Sequence, residues 1–286
     1  MAAALLGFAL WAVIDDPYQT EEFRRFHHER LIAFSPAAES YDVVVSGRSA
    51  LMSALPPMDI LAPLARARGL ELRLLEIGVL HGTFRDLEPL LDDIRAAAPD
   101  LLVLELTLLV EDRTLTTTIQ RKRGYLDWLL YRDGLWDPNG MTPQEFVDWL
   151  PPCEGSVAER NRGAQRRFPR YSRERRFFRT RAVAGASATA GRAFLREFMA
   201  MGGQAAVVSV PRRPAVEREF ALWDAPDVEA YVVELGRDGV LAWPYRETHG
   251  DESFCDLTHL SASGRETYTH WFLDRIAAAA RQGPGE

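Results

Sequence analysis

"VVVSGRSALMSAL", Val43 to Leu55, is the stretch on which the reading of this chain turns. A strand-forming run enters Ser46-Gly47-Arg48-Ser49, and a helical-looking stretch follows at once. Gly and Ser punctuate strands everywhere, so ordinary turn chemistry is one reading. The other is a nucleophile: a serine on a tight strand-to-helix turn stands beside unsatisfied backbone N–H groups, whose partial positive charge favours a developing alkoxide or oxyanion.

Working outward, the periodicity alternates between strands and helices. "YDVVVS" (Tyr41 to Ser46) reads as a first strand, and "MDILAPLARARG" (Met58 to Gly69) as a helix with a terminal glycine cap. "LELRLLEIG" (Leu70 to Gly78) is a second strand, and Asp86 to Ala98 a second helix closed by Pro99-Asp100. "LLVLELTLL" (Leu101 to Leu109) is a third strand, apolar on both faces as in the middle of a covered parallel sheet. Between about 111 and 189 the strand signal stops. Trp128, Trp136, Trp149, the turn "DPNG" and Pro151-Pro152 mark an insertion with its own helices, too long for a crossover. The pattern resumes with a helix (Ala190 to Gly203), a strand (Gln204 to Pro211), a weaker strand (Gly239 to Tyr245) and a last helix from about Ser263 to Ala280, for which Ser263 and Glu266 make a capping box. These units predict a three-layer α/β/α fold with a parallel sheet of about five strands and a helical insertion after strand three. Ligands in such folds bind outside the carboxyl ends of the strands, so chemistry is to be sought in the turns that follow them.

Composition sets the outer bounds. The 286 residues, 47% hydrophobic and 26% charged, suffice for one large domain carrying an insertion, here residues 40–286 after a lead-in of 1–39. A net charge of -7 gives no basic footprint for nucleic acid. One local exception is "RNRGAQRRFPRYSRERRFFRTR" (Arg160 to Arg181), ten arginines against one acid, which reads either as a solvated helix face or as a grip on an anionic polymer or lipid headgroups. Cys153 and Cys255 lie far apart without metal-ligand spacing; one bridge or two buried thiols both fit. The uncharged opening "MAAALLGFALWAVI" is shorter than a spanning helix and lacks the marks of a complete signal peptide. It reads as the trailing end of a membrane anchor or signal-type segment, or else as a buried first helix.

Three turns carry candidate groups. Ser49 follows strand one. In "FCDLTHL" (Phe254 to Leu260), just ahead of the last helix, Asp256 and His259 are spaced so that the carboxylate can hold one imidazole nitrogen while the other faces a serine. In "EIGVLHGTFRDL" (Glu76 to Leu87), a glycine can offer a backbone oxyanion donor with no side chain in the way. Arg48, Glu76, Glu105 and His249 are weaker, substrate-binding candidates: both glutamates interrupt apolar strands near their carboxyl ends, and His249 lies in the loop ahead of Asp256. His27-His28-Glu29 lacks a third ligand of known spacing, so no metal site is expected.

Gly47-x-Ser49, the glycine turn after strand two and Asp256-x-x-His259 near the C-terminus resemble the SGNH (GDSL-type) hydrolase superfamily. "CDLTHLSASGRETYTHWFLDRI" is similar to its closing block and final helix, and "PDLLVLEL" and "GGQAAVVSVP" resemble strands of its bacterial envelope branch, which includes proteins of alginate O-acetylation and of D-alanyl transfer to teichoic acids. The resemblance spans roughly 40 to 110 and 190 to 280 and implies a flavodoxin-like fold. It also implies Ser49 as nucleophile, His259 as general base and acid, Asp256 as the orienting carboxylate, and Ser49 with Gly82 or Gly78 as oxyanion donors. Two departures stand out: Arg48 occupies the middle of the usual Gly-Asp-Ser, and Leu109 stands near the expected position of the family's block-three asparagine. The function implied is a serine esterase or O-acyltransferase acting on acyl esters, acetyl first among them, of a glycan or other envelope polymer. It requires no cofactor, and it places the chain in the cell envelope, beside a membrane-bound acyltransferase. The alternative is a non-catalytic partner of such a system with the same fold.

Overall fold

The computed structural model describes residues 21–34, 39–79, 82–111, 156–178, 183–220, 224–247 and 249–283, the side chains of 22, 170–178 and 220 excepted. Five parallel strands build one sheet: β1 (Tyr41–Gly47), β2 (Leu72–Gly78), β3 (Leu101–Glu105), β4 (Gln204–Val208) and β5 (Leu241–Trp243). They lie in the order β2-β1-β3-β4-β5. This is the doubly wound order whose direction reverses between β1 and β3, opening a crevice beyond their carboxyl ends.

Alternation along β1 sorts the two faces. Val44 points to a core shared with Leu75, Ile77, Leu102, Leu104 and Val207, covered by α1 (Glu21–Ala33), α4 (Leu91–Ala97), α7 (Ala186–Ala200) and α9 (Pro226–Arg237). Val43 and Val45 point to a second core with Leu101, Val103, Ala206, Val208 and Trp243, covered by α2 (Ser49–Ala54), α3 (Met58–Arg66) and α10 (Ala262–Gln282). All five residues of β3 are buried, as the run apolar on both faces requires. Each such Val or Leu contributes about 1.5–3 kcal/mol relative to leaving it in water, which fixes the strand ends that carry the site.

The three-layer α/β/α architecture is thus present, with some boundaries moved. β3 ends at Glu105, and the remainder of the predicted third strand, up to Leu109, belongs to the buried helix α5 (Leu106–Val110). A short apolar run fits a buried strand or a buried helix equally well. The second predicted helix begins late: Phe84–Asp86 and Glu88–Leu90 are 3-10 turns, with Pro89 in the second, and α4 starts only at Leu91. The last helix is capped by Ser261, whose hydroxyl accepts from Gly264 N–H at 3.5 Å, not by Ser263. Two further helices, α8 (Pro214–Phe220) and α9, lie where only connections were expected. Each begins with proline, a residue pre-set for the first helical turn.

Of the insertion, the structure describes Glu111 and, after residues 112–155, the helix α6 (Val157–Phe178) and the turn into α7. Trp128, Trp136, Trp149, Cys153 and the apolar segment 1–14 lie outside the described residues. Among the described residues no helix is long and apolar enough to cross a membrane.

Candidate active site

The turn after β1 is a single residue long. Val79 N–H donates to Gly47 O at 2.8 Å, which continues the β1–β2 pairing to the last residue of the strand. Arg48 is extended (φ -83°, ψ 179°), and Ser49 opens α2. So abrupt a change of direction needs a glycine before it. A Cβ on Gly47 would lie 2.6 Å from Leu51 Cδ2, 2.8 Å from Leu51 Cβ and 3.0 Å from Glu105 Oε2. Ser49 therefore stands, partly exposed, at the mouth of the crevice between β1 and β3. As first residue of a helix its N–H, like that of Ala50, has no intrahelical acceptor.

The turn is braced from beneath. Glu105, at the end of β3 and buried, accepts from Arg48 N–H through Oε2 at 2.6 Å and from Thr107 Oγ through Oε1 at 2.5 Å. The Arg48 side chain runs inward and is itself buried. Its Nε donates to Gly82 O at 2.8 Å, its Nη2 to Thr107 O at 3.2 Å, and its Nη1 pairs with the buried carboxylate of Glu111. Arg48 and Glu105, the substrate-binding candidates, tie the Ser49 turn to the segments after β2 and β3.

Asp256 and His259 come from a small closed loop at the entrance to α10. Phe254 and Leu260 form an antiparallel bridge, Cys255 N–H donates to His259 O at 2.9 Å, and Ser261 N–H to Ser253 O at 2.8 Å. Within the loop, Asp256 Oδ1 accepts from Thr258 N–H and His259 N–H, each at 2.8 Å. Its Oδ2 stands 2.8 Å from His259 Nδ1, and His259 Nε2 stands 3.1 Å from Ser49 Oγ. A hydroxyl, an imidazole and a carboxylate are thus joined in series across 210 positions of sequence. Burial pushes the Asp256 carboxyl up, but its hydrogen bond to the His259 ring, the ring's charge and the two backbone N–H groups outweigh it, leaving a pKa below the ordinary carboxylate value. The His259 and Asp256 side chains are 15% and 24% exposed, shielded yet open to a ligand.

One residue that sequence reasoning missed holds this loop from behind. Arg213, 3% exposed, donates through Nε to Asp256 O at 2.9 Å, through Nη2 to Phe254 O at 3.4 Å and through Nη1 to Asn161 Oδ1 at 2.7 Å. Its backbone N–H donates to Leu257 O at 3.2 Å, and Asp251 lies 3.4 Å from Nη1. Burial lowers the Arg213 pKa from its ordinary value, opposed by Asp251 and Asp256, and the guanidinium stays cationic. Arg160 Nε reaches Phe254 O at 3.3 Å, and Leu257 packs on Ala164 of α6 and Val216 of α8. The only sequence signal was the position of Arg212-Arg213 directly after a strand end.

The oxyanion assignments fare unevenly. Gly82 N–H donates to Val79 O at 3.0 Å, so this amide already has an acceptor within its own turn. A Cβ there would lie 2.1 Å from Val79 Cγ1, so Gly82 serves that turn's tight packing and not an open donor position. Gly78 closes β2 opposite Gly47, against Met52 of α2. Ser49 N–H, at the first position of α2, is the assigned donor that has no intrahelical acceptor. Leu109, near the position where the SGNH resemblance led to the expectation of an asparagine, is fully buried against Gly191 of α7.

Glu76 sits within the edge strand β2 opposite Val45, on the face toward α2 and α3. His249 is buried, stacks on Tyr245 with centroids 5.2 Å apart, and shares a 2.6 Å hydrogen bond with its hydroxyl. Burial lowers the His249 pKa, with Glu247 and Glu252 acting in the opposite sense. His249 lines a cavity of about 350 Å³ at the carboxyl ends of β3, β4 and β5, with Glu105, Thr107, Arg212, Arg218 and Tyr245. The Ser49, Asp256 and His259 side chains are not part of that lining; Glu105 and Thr107, which brace the Ser49 turn, are. His27 is buried between Phe23 and Phe26, while His28 meets Asp93 at 2.8 Å on the surface, so the two do not converge. Among the described residues no three His, Cys, Asp or Glu side chains group as metal ligands. Compared with protein-family models and with curated proteins, the sequence matches none.

Proposed function

We propose that this protein is a serine esterase or O-acyltransferase of the SGNH type. The observation that carries the reading is the Ser49–His259–Asp256 series, with hydrogen bonds of 3.1 and 2.8 Å at the carboxyl rim of the sheet. In the reaction Ser49 Oγ attacks the ester carbonyl carbon while His259 Nε2 takes the hydroxyl proton. Asp256 holds Nδ1–H and stabilises the imidazolium that forms. The carbonyl oxygen, now an oxyanion, faces the Ser49 and Ala50 amides at the start of α2. His259 returns the proton to the departing alcohol oxygen, which leaves an acyl group on Ser49. Water or a sugar hydroxyl, deprotonated in turn by His259, then takes the acyl group and restores the serine.

The substrate class, acyl and foremost acetyl esters of a glycan or other envelope polymer, follows the SGNH resemblance. A disulfide at Cys255 supports an oxidising, extracytoplasmic setting, since such bonds persist there and are rare in the cytosol. A membrane-bound acyltransferase is the partner that this setting suggests.

The test is labelling of the intact protein with a fluorophosphonate and turnover of an acetyl ester with a burst. Ser49→Ala abolishes both, and His259→Ala slows acylation by about 10²–10⁴. A folded wild type that neither labels nor turns over refutes the reading.

Two observations favour a second reading, a non-catalytic polymer-binding partner with the same fold. Gly82 N–H already has an acceptor and a buried Leu109 replaces the family's asparagine, and one lost oxyanion donor costs about 3 kcal/mol. That reading predicts an inert wild type that binds anionic polysaccharide and loses it when the arginines of 166–176 are neutralised.

A further inference from the structure

We infer that Arg213 is a positioning residue of the triad: its guanidinium sets the bearing of the Asp256–His259 loop by gripping that loop's backbone carbonyls, and through Asn161 it makes α6 the loop's outer support. The inference rests on the proposed function for its catalytic meaning and on geometry for its mechanics.

The Phe254–Leu260 bridge, the bonds Cys255 N–H to His259 O and Ser261 N–H to Ser253 O, and the two backbone N–H groups on Asp256 Oδ1 fix the pair within the loop, but none of them ties the loop to Ser49. Something outside the loop must fix the pair relative to Ser49, because a proton transfer across 3.1 Å is lost by a displacement of about 1 Å. Arg213 stands where that restraint is needed. It stands at the head of α8, where its carbonyl accepts from Val216 N–H at 2.8 Å and from Glu217 N–H at 3.0 Å, and its own N–H holds Leu257 O. Its side chain contacts the carbonyl of Asp256 itself and that of Phe254, the residue whose bridge closes the loop. The planar fork meets these acceptors and Asn161 at once, in a geometry that a lysine ammonium on a flexible stem does not reproduce. Asn161 belongs to α6, so a helix of the insertion meets the catalytic loop through Asn161, Arg160 and the Ala164–Leu257 contact.

The experiment compares wild type, Arg213→Lys, Arg213→Gln and Asn161→Ala by acetyl ester kinetics, thermal unfolding and hydrogen exchange of the peptides covering 251–261. Arg213→Gln lowers kcat by about 10²-fold with KM within about threefold. Arg213→Lys recovers part of that loss, Asn161→Ala loses about tenfold, and exchange in 251–261 rises in all three while the core strands stay protected. Arg213 is instead merely structural, and the inference is overturned, if kcat per folded molecule is unchanged or if exchange rises uniformly with a fall in Tm. Should Arg213→Gln fail to fold, Asn161→Ala and Arg213→Lys carry the same readouts. An inert wild type defeats the esterase reading alone: the exchange data then still decide whether Arg213 fixes the loop.

Discussion

Asp256→Asn is the substitution that separates a working relay from a coincidence of three polar residues. Asp256 Oδ1 accepts two backbone N–H groups at 2.8 Å, and Oδ2 faces His259 Nδ1 at 2.8 Å. An asparagine fits the same space in one of two orientations. With its amide nitrogen toward the backbone it would oppose two N–H donors and leave them unsatisfied, at about 1–3 kcal/mol each. The carbonyl oxygen therefore keeps the backbone bonds, and the amide nitrogen faces Nδ1. A donor there forces Nδ1 to accept, which moves the imidazole proton to Nε2, the atom 3.1 Å from Ser49 Oγ. The ring then presents a donor where a base is required. The expected loss in kcat is about 10⁴-fold, equivalent to about 5.4 kcal/mol, with KM changed by less than about threefold. The assay is the acylation burst with an acetyl ester in rapid mixing, with circular dichroism to show that the variant is folded. A folded D256N variant within tenfold of wild type refutes the triad. The same carboxyl also carries a stability signature. Its depressed pKa means that its contribution is fully present above the unfolded carboxylate value of about 3.9 and is lost as pH falls through the lower folded value. The stability difference between wild type and the asparagine variant should therefore be constant at neutral pH and shrink below about pH 4.

Two further outcomes follow from the geometry. Gly47→Ala places a methyl group 2.6 Å from Leu51 Cδ2 and 3.0 Å from Glu105 Oε2, so the turn must open: about 1–3 kcal/mol is lost in urea unfolding, and acylation slows, whereas a neutral effect on both would show that the turn is not tight. His27, buried with Nδ1 lacking a hydrogen-bond partner among the described residues, has its pKa lowered to about 3, chiefly by burial and further by Arg30. The unfolded chain takes up that proton near pH 6.5, so the stability that His27 contributes is present above 6.5 and falls by about 1.4 kcal/mol per pH unit below it, until pH reaches about 3. His27→Leu should flatten the urea midpoint between pH 6.5 and 5, and an unchanged pH dependence would refute the assignment.

The parts of this molecule that were legible in sequence are those governed by local periodicity. Val43–Val45 and Leu101–Val103 announce buried parallel strands, and Gly47-Arg48-Ser49 announces an abrupt turn, because both depend on neighbours a few positions away. Leu106–Val110 misleads because an apolar pentapeptide carries no period that separates helix from strand. Arg48 and Glu105 were legible as unusual, but the network they form was not: an ionisable residue at a strand end looks the same whether it faces solvent or, as here, bonds within a buried network with Glu111, Thr107 and Gly82 O. Arg213 was legible only as an arginine placed after a strand end, not in what it holds. Its partners lie 41, 43 and 52 positions away, and two of them are backbone carbonyls, which every residue possesses.

The 210 positions between Ser49 and His259 have a consequence during synthesis. At roughly 5–20 residues per second, the two side chains leave the ribosome about 10–40 seconds apart. Throughout that interval the nascent chain bears an unactivated hydroxyl, as inert as any surface serine. On the proposed function, reactivity would arise only once the loop 254–260 and the helix α10 behind it dock against the sheet and deliver the imidazole, so the serine would stay silent until that late segment had folded.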